Sequence, residues 1–120
     1  MTRPQSLPRS ARVRRTSEFQ GIYKAGTAHR GRNVVLVVRA TGEEEVVRAG
    51  VVASRKVGGA VQRNRAKRLL RDAFRKLRLE LRAADLVLVA LKACAEAGGP
   101  EVQLELRTLL ARAGLIQSSA

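Results

Sequence analysis

The run Asp85 to Leu91, DLVLVAL, constrains the fold more than any other stretch of this chain. It has the length of a strand and is apolar at consecutive positions instead of alternate ones, which suits a strand buried on both sides. The sheet that holds it must therefore be covered on both faces. Two further β-branched runs, NVVLVVRA (Asn33 to Ala40) and VVRAGVVAS (Val46 to Ser54), are separated by TGEEE, a spacing that predicts an antiparallel hairpin.

Three stretches carry a helical period. In TSEFQGIYKAG, Thr16 or Ser17 can cap a short helix, Phe19, Ile22 and Tyr23 recur at i, i+3 and i+4, and Gly26 ends it. From Ala60 to Arg82, Ala66, Leu69, Leu70, Ala73, Phe74, Leu77 and Leu81 gather on one side at about 100° per residue. Lys67, Arg71, Arg75, Arg78 and Arg82 gather beside them, with Arg63 at the border, so the helix has a core face and a basic face. After AGGP, Glu101 to Gly114 predicts a closing helix with Val102, Leu106, Leu109, Leu110 and Ala113 inward. At 120 residues the chain is one domain's worth. The expected organisation is a basic, extended segment 1–15, one domain over 16–114 and a tail 115–120.

Charge says more about partners than about fold. With 24 Lys and Arg against 10 Asp and Glu the chain carries +14, which favours a polyanion, nucleic acid first. Residues 1–32 hold +7 and residues 55–82 hold +9, while the remainder sums to −2. If those two segments meet in the fold, they make one basic surface.

The inventory for protein-borne catalysis is thin. His29 is the only histidine, so no pair of imidazoles can act as general acid and base. Glu18, the Glu43 to Glu45 turn, Asp72, Glu80 and Asp85 are scattered, which does not assemble a two-metal hydrolytic site. KVGGAVQRNRAKR has neither the spacing nor the Gly-Lys-Ser/Thr ending of a Walker loop. Cys94 is alone, which excludes an intramolecular disulfide and suits a reducing cytoplasm. No apolar run of signal-peptide or membrane-spanning length follows the Arg-rich start, so neither secretion nor membrane insertion is expected.

The positive signal is for RNA. Guanidinium forks match phosphate oxygens and stack on bases, and from 63 to 75 the basic residues are five Arg and one Lys. Phe19 and Tyr23, two of three aromatics, stand one helical turn apart, where they can stack on unpaired bases or pack a helix on a sheet.

SRKVGGAVQRNRAKRLLRDAF closely resembles the signature of the bacterial ribonuclease P protein subunit: a Ser-Lys-Lys-like start, a Gly-Asn-Ala-Val turn, then Arg-Asn-Arg and Lys-Arg on a helix. Ser54, Lys56, Gly58, Ala60, Val61, Arg63, Asn64, Arg65, Lys67, Arg68, Arg71 and Phe74 carry the match. RVRRTSEFQGIYKAGT is similar to the family's opening helix through Arg12, Phe19, Tyr23, Lys24 and Gly26. Gly59 departs from the family, which usually has Asn there, and Leu91 and Ala93 stand where a basic residue and Pro are common.

The resemblance implies an α+β domain of order αβββαβα, with a third early strand, a mixed sheet and a left-handed βαβ crossover (ribosomal protein S5 domain 2-like). It also implies a division of labour in a ribonucleoprotein endonuclease. A catalytic RNA cleaves the 5′ leader from precursor tRNA with Mg²⁺, and the protein supports it while binding no cofactor of its own. On that analogy Arg63, Asn64, Arg65, Lys67, Arg68 and Arg71 face the catalytic RNA. Phe19, Tyr23, Lys24 and Lys56 line a cleft for the single-stranded leader, and Arg12, Arg55 and Arg75 add basic charge. The implied partners are ribonuclease P RNA and precursor tRNA, in the cytoplasm, with no membrane and no DNA. A ribosomal-type RNA-binding protein without a role in cleavage would show the same basic helix, whereas a major-groove DNA reader would need a second helix at helix-turn-helix spacing.

Overall fold

The computed structural model describes residues 13, 16–40 and 47–116. The elements are α1 (Thr16–Ala25), β1 (Thr27–Arg30), β2 (Val34–Ala40), β3 (Arg48–Val52), α2 (Ala60–Leu77), β4 (Ala84–Ala90) and α3 (Gly99–Arg112). Short 3₁₀ turns follow α2 (Arg78–Glu80) and β4 (Lys92–Glu96). The four strands form one mixed sheet in the order β1-β2-β4-β3. Arg12, the Glu43 to Glu45 cluster and the 115–120 tail beyond Ile116 lie outside the described residues.

The doubly apolar run becomes β4, and it takes the centre of the sheet. It pairs antiparallel with β2 and parallel with β3, and Leu86, Val87 and Leu88 are fully buried. This corrects the hairpin expected from the two β-branched runs: β2 and β3 are not neighbours, because β4 lies between them. The strand that is apolar on both faces gains most from a position covered on both, and that outweighs sequence proximity. The hairpin in the molecule joins β1 to β2 instead, its turn closed by the Gly31 amide donating to the Val34 carbonyl at 2.8 Å. Periodicity did not predict β1, since Thr-Ala-His-Arg has no apolar alternation. It is a rim strand, mostly exposed, and is the third early strand that the family resemblance implied.

Side-chain parity divides the sheet into two faces. Leu36, Leu86, Leu88 and Ala49 point to one face and meet Leu70, Phe74 and Leu77 of α2 and Leu106, Leu109 and Leu110 of α3. Val37 and Val87 point to the other face, where they meet Ile22 of α1 and Val13, whose amide bonds to the Ala49 carbonyl on the outer edge of β3.

The helix expected over 60–82 ends at Leu77. Eighteen helical residues already span about 27 Å, against about 23 Å for the seven residues of β4, so a further turn would overshoot the sheet to which the chain must return. Arg78 and Arg82 accordingly leave the helix. At the other end of the sheet α3 is pinned by Glu105, whose carboxylate accepts the amides of Asn33 and Val34 at 2.8 and 3.0 Å. The Asn33 side-chain amide donates to Glu101 and Glu105 and is fully buried.

Candidate nucleic-acid interface

α2 starts without a side-chain cap: Gly59 is the N-cap, and Gly58 before it has φ +144°, a conformation that L side chains rarely adopt. With Ala66, Leu70, Ala73, Phe74 and Leu77 buried, the helical period of about 100° per residue turns Arg71, Asn64, Arg75 and Arg68 outward as one stripe, with Lys67 at its border. Asn64, Arg68 and Arg71 are exposed, and Arg63 and Lys67 half-buried beside the core face. Arg75 is tied within the helix to Asp72 at 2.6 Å. Arg65 stands apart from the stripe. Its guanidinium donates to the carbonyls of Ala95 at 2.5 Å and Ala97 at 2.9 Å, so it clamps the turn after β4 onto α2. Cys94, inside that turn, is buried, and burial pushes its thiol up to about 11.

The opposite face of the sheet is organised in rows across the strands. Arg39, Asp85 and Arg48 stand side by side on β2, β4 and β3; Val37, Val87 and Gly50 form the next row, and Val35, Val89 and Val52 the third. α1 crosses the first two. Gly26 at its end meets Val37, and Phe19 lies over β3 so closely that a Cβ on Gly50 would sit 2.5 Å from the ring. Gly50 is thus required by a close approach, not by a turn. The third row is only half-buried and packs at the margin of this small core.

With Ile22 facing the sheet, helical geometry sends Glu18 and Gly21 to the flank over the charged row. Phe19 and Tyr23 take the flank over Val35, Val89 and Val52. The half-buried valine row is thus bordered by Phe19, with the exposed Tyr23 on the same flank of the helix. Tyr23 is 45% exposed, and partial burial raises its phenol above the ordinary value. Phe19 is more deeply packed, over Gly50 and against the buried cluster of Val13, Ile22, Val37 and Val87. Lys24 falls on the outward side of α1, away from the floor, and Lys56 lies in the exposed turn after β3 that Ser54 closes.

Electrostatics distinguish the two ends of that face. At the charged end, Asp85 is 2% exposed and accepts from Arg39 at 2.7 Å and from Arg48 at 2.9 and 3.1 Å; Arg48 also donates to Glu18 of α1 at 2.6 Å. Burial alone would raise the Asp85 carboxyl, but the hydrogen bonds and charges of Arg48 and Arg39 outweigh it and hold it below the ordinary value. At the other end, the ends of β1, β3 and β4 and the start of β2 present Arg30, Arg32, Arg55, Lys56 and Lys92 around the open row, where α2 also begins. Among the described residues no carboxylate forms a salt bridge with any of these five. The two basic segments share this end of the sheet without touching: Arg30 and Arg32 of the first stand at the end of edge strand β1, and Arg55 and Lys56 of the second follow the opposite edge strand β3.

Sequence reasoning did not find Gly50, Arg39, Arg48 or the partnership of Glu18 with Asp85. The acids looked scattered because Arg48, which joins two of them, is remote from both in sequence. Among the described residues no three His, Cys, Asp or Glu side chains are grouped to hold a metal ion, and no helix is long and apolar enough to cross a membrane.

The ribonuclease P family model matches residues 7–114. The chain belongs to the ribonuclease P protein family. The ribonuclease P protein component of Xanthomonas campestris pv. campestris is 42% identical over 111 residues, covering 92% of this chain and 74% of that protein. That of Bacillus cereus is 33% identical over 110 residues, covering 91% and 96%. Among solved structures, the Staphylococcus aureus RNase P protein superposes with a TM-score of 0.80 at 28% identity, over 89% of this chain and 98% of that one. The Thermotoga maritima RNase P protein gives 0.75 at 30% identity, over 84% and 96%. The α+β fold with its mixed four-stranded sheet is therefore the family's fold, and the family's name implies an RNA partner and a part in tRNA processing.

Proposed function

We propose that this chain is the protein subunit of a cytoplasmic ribonuclease P in which RNA performs the chemistry, and that it grips two RNAs with two surfaces. The observation that carries the reading is their separation by the sheet. The outward stripe of α2 lies over one face; the half-buried valine row, flanked by Phe19 and Tyr23 and rimmed by basic side chains, lies on the other.

The stripe suits the catalytic RNA. Asn64, Arg68 and Arg71 point outward together with Lys67 at their border, and planar guanidinium groups match phosphate oxygens in pairs. Arg63 and Arg75 extend the field, and Arg65 adds charge from a fixed place. The cleft suits the unpaired 5′ leader of precursor tRNA: its floor accepts the apolar faces of bases, Tyr23 and Phe19 offer rings for stacking, and Lys56 and Arg55 stand at the rim for phosphates. A paired RNA would hide its base faces from such a floor. Lys24, on the outer side of α1, reaches phosphates only if the leader curls around that helix.

Bringing two RNAs together crowds phosphates, and a chain of +14 replaces part of the cation atmosphere that Mg²⁺ otherwise supplies. The ion itself serves the holoenzyme through RNA. The test is cleavage of a 5′-extended precursor tRNA by a bacterial ribonuclease P RNA at low Mg²⁺, with and without this chain. Restored cleavage at the mature 5′ end is expected. Intact RNA binding without stimulation would favour a structural, ribosomal-type role.

A further inference from the structure

α1 carries Phe19 and Tyr23, and among the described residues its apolar hold on the sheet comes from Ile22 and Phe19. It has ten residues, too few for an autonomous helix, and Ile22 is its only fully buried side chain. Its opposite flank is held by directed polar contacts. Arg48 reaches from β3 to Glu18 on α1, and the Arg39 guanidinium lies beneath Gly21, where a Cβ would come within 2.9 Å of it. Both arginines are aimed by Asp85, which stands between them in register and takes bonds from each. None of these four groups belongs to the open valine row, and the helix flank they hold is opposite the one that carries Phe19 and Tyr23.

We propose that Asp85, Arg48, Arg39 and Glu18 are positioning residues for substrate: they set the tilt of α1 and hence the distance of the Phe19 and Tyr23 rings from the Val35–Val89–Val52 floor. The inference rests on the assignment of that cleft to the precursor's leader. Asp85 acts two steps away, through the arginines. Glu18 acts directly on the helix. Because Phe19 covers Gly50 on the same short helix, loss of the Glu18 anchor should shift the ring without emptying the main core between the sheet and α2 and α3.

The experiment compares the full-length chain with Glu18→Gln, Glu18→Asp and Asp85→Asn, each assembled with a bacterial ribonuclease P RNA. It measures affinity for precursor tRNA and for leaderless mature tRNA, together with affinity for the catalytic RNA itself. In the free protein, the Gly50 Hα chemical shift, set by the ring current of Phe19, reports where α1 sits. For Glu18→Gln the expected result is precursor binding weakened roughly five- to tenfold, less than the full loss of one charge-assisted hydrogen bond because the change reaches the leader only through the position of the helix. Mature tRNA and catalytic RNA binding stay within about twofold of the unmodified chain, and the Gly50 shift moves. Glu18→Asp should recover part of both effects. Asp85→Asn should exceed Glu18→Gln in effect, and if it unfolds, the Glu18 pair alone decides the matter.

An unchanged precursor preference in Glu18→Gln, or equal weakening for mature tRNA, would overturn the proposal while leaving the leader cleft standing. Absence of any precursor preference in the unmodified holoenzyme would overturn the cleft assignment and this proposal with it.

Discussion

The two faces of the sheet are built to opposite specifications. The face under α2 and α3 is dry and continuous, packed with Leu36, Leu86 and Leu88 against Leu70, Phe74 and Leu106, all at most 1% exposed. The face under α1 has a four-residue buried cluster, a charged row at one end and a half-open row at the other. Stability resides in the first, and it lets the outward side of α2 carry charge with no structural task. The second gives up apolar burial to keep a floor accessible, and holds its covering helix by directed hydrogen bonds in place of bulk packing. A surface that must accept a ligand cannot also be closed by the core that supports it.

The sharpest way to break this contrast is to empty the closed face. Phe74→Ala should cost about 3 to 5 kcal/mol in denaturant unfolding followed by circular dichroism, and should abolish both RNA activities together. A change on the open face should separate them. Tyr23→Ala removes a half-exposed ring and should weaken precursor binding by about 1 to 3 kcal/mol in the assembled holoenzyme, with the unfolding midpoint almost unmoved. Gly50→Ala forces Phe19 off β3 and should cost about 1 to 3 kcal/mol of stability, lowering precursor affinity without touching catalytic RNA binding. The outer stripe is tested by Arg68→Ala with Arg71→Ala. The slope of log affinity for the catalytic RNA against log salt should flatten by about 0.7 to 0.9 for each phosphate that the variant no longer neutralises, with no change in stability.

The smallest effect concerns pH and belongs to the charged row. The Asp85 carboxyl is held below its ordinary value in the folded chain, so its ionised form favours folding. That contribution is present above the usual carboxylate range and disappears as pH falls through the lowered value. Unfolding midpoints measured down through the acid range should show a step that Asp85→Asn lacks. If the two chains decline in parallel, the row does not carry the acid sensitivity.

Much of the scaffold was legible because local period and burial coincide. DLVLVAL announced a strand covered on both sides, and the repeat through Ala66, Leu70, Ala73 and Phe74 announced a helix whose far side had to be basic. The same local logic failed where a partner was remote. β1 has no pattern because a rim strand is held by its ladder, not by its side chains. The expected hairpin failed because strand order is settled by total burial across the sheet. Arg65 reads like its neighbours in the basic run, yet its angle on the helix turns it toward the carbonyls of Ala95 and Ala97, which no spacing rule reveals.

By itself, then, the sequence determined the chemical character of this protein: a cationic helix face, a strand apolar at consecutive positions, a single histidine, and a motif specific enough to indicate its family. Those properties are written in residue types and short spacings. Only the tertiary structure decided which charges stay available. It neutralised Arg39 and Arg48 on Asp85 and Glu18, anchored Arg65 on backbone carbonyls, and left Arg30, Arg32, Arg55 and Lys56 around the open end of the sheet. The physical reason is that a charge is neutralised or kept according to its neighbours within a few ångströms, and those neighbours are assembled from four strands and two helices far apart along the chain.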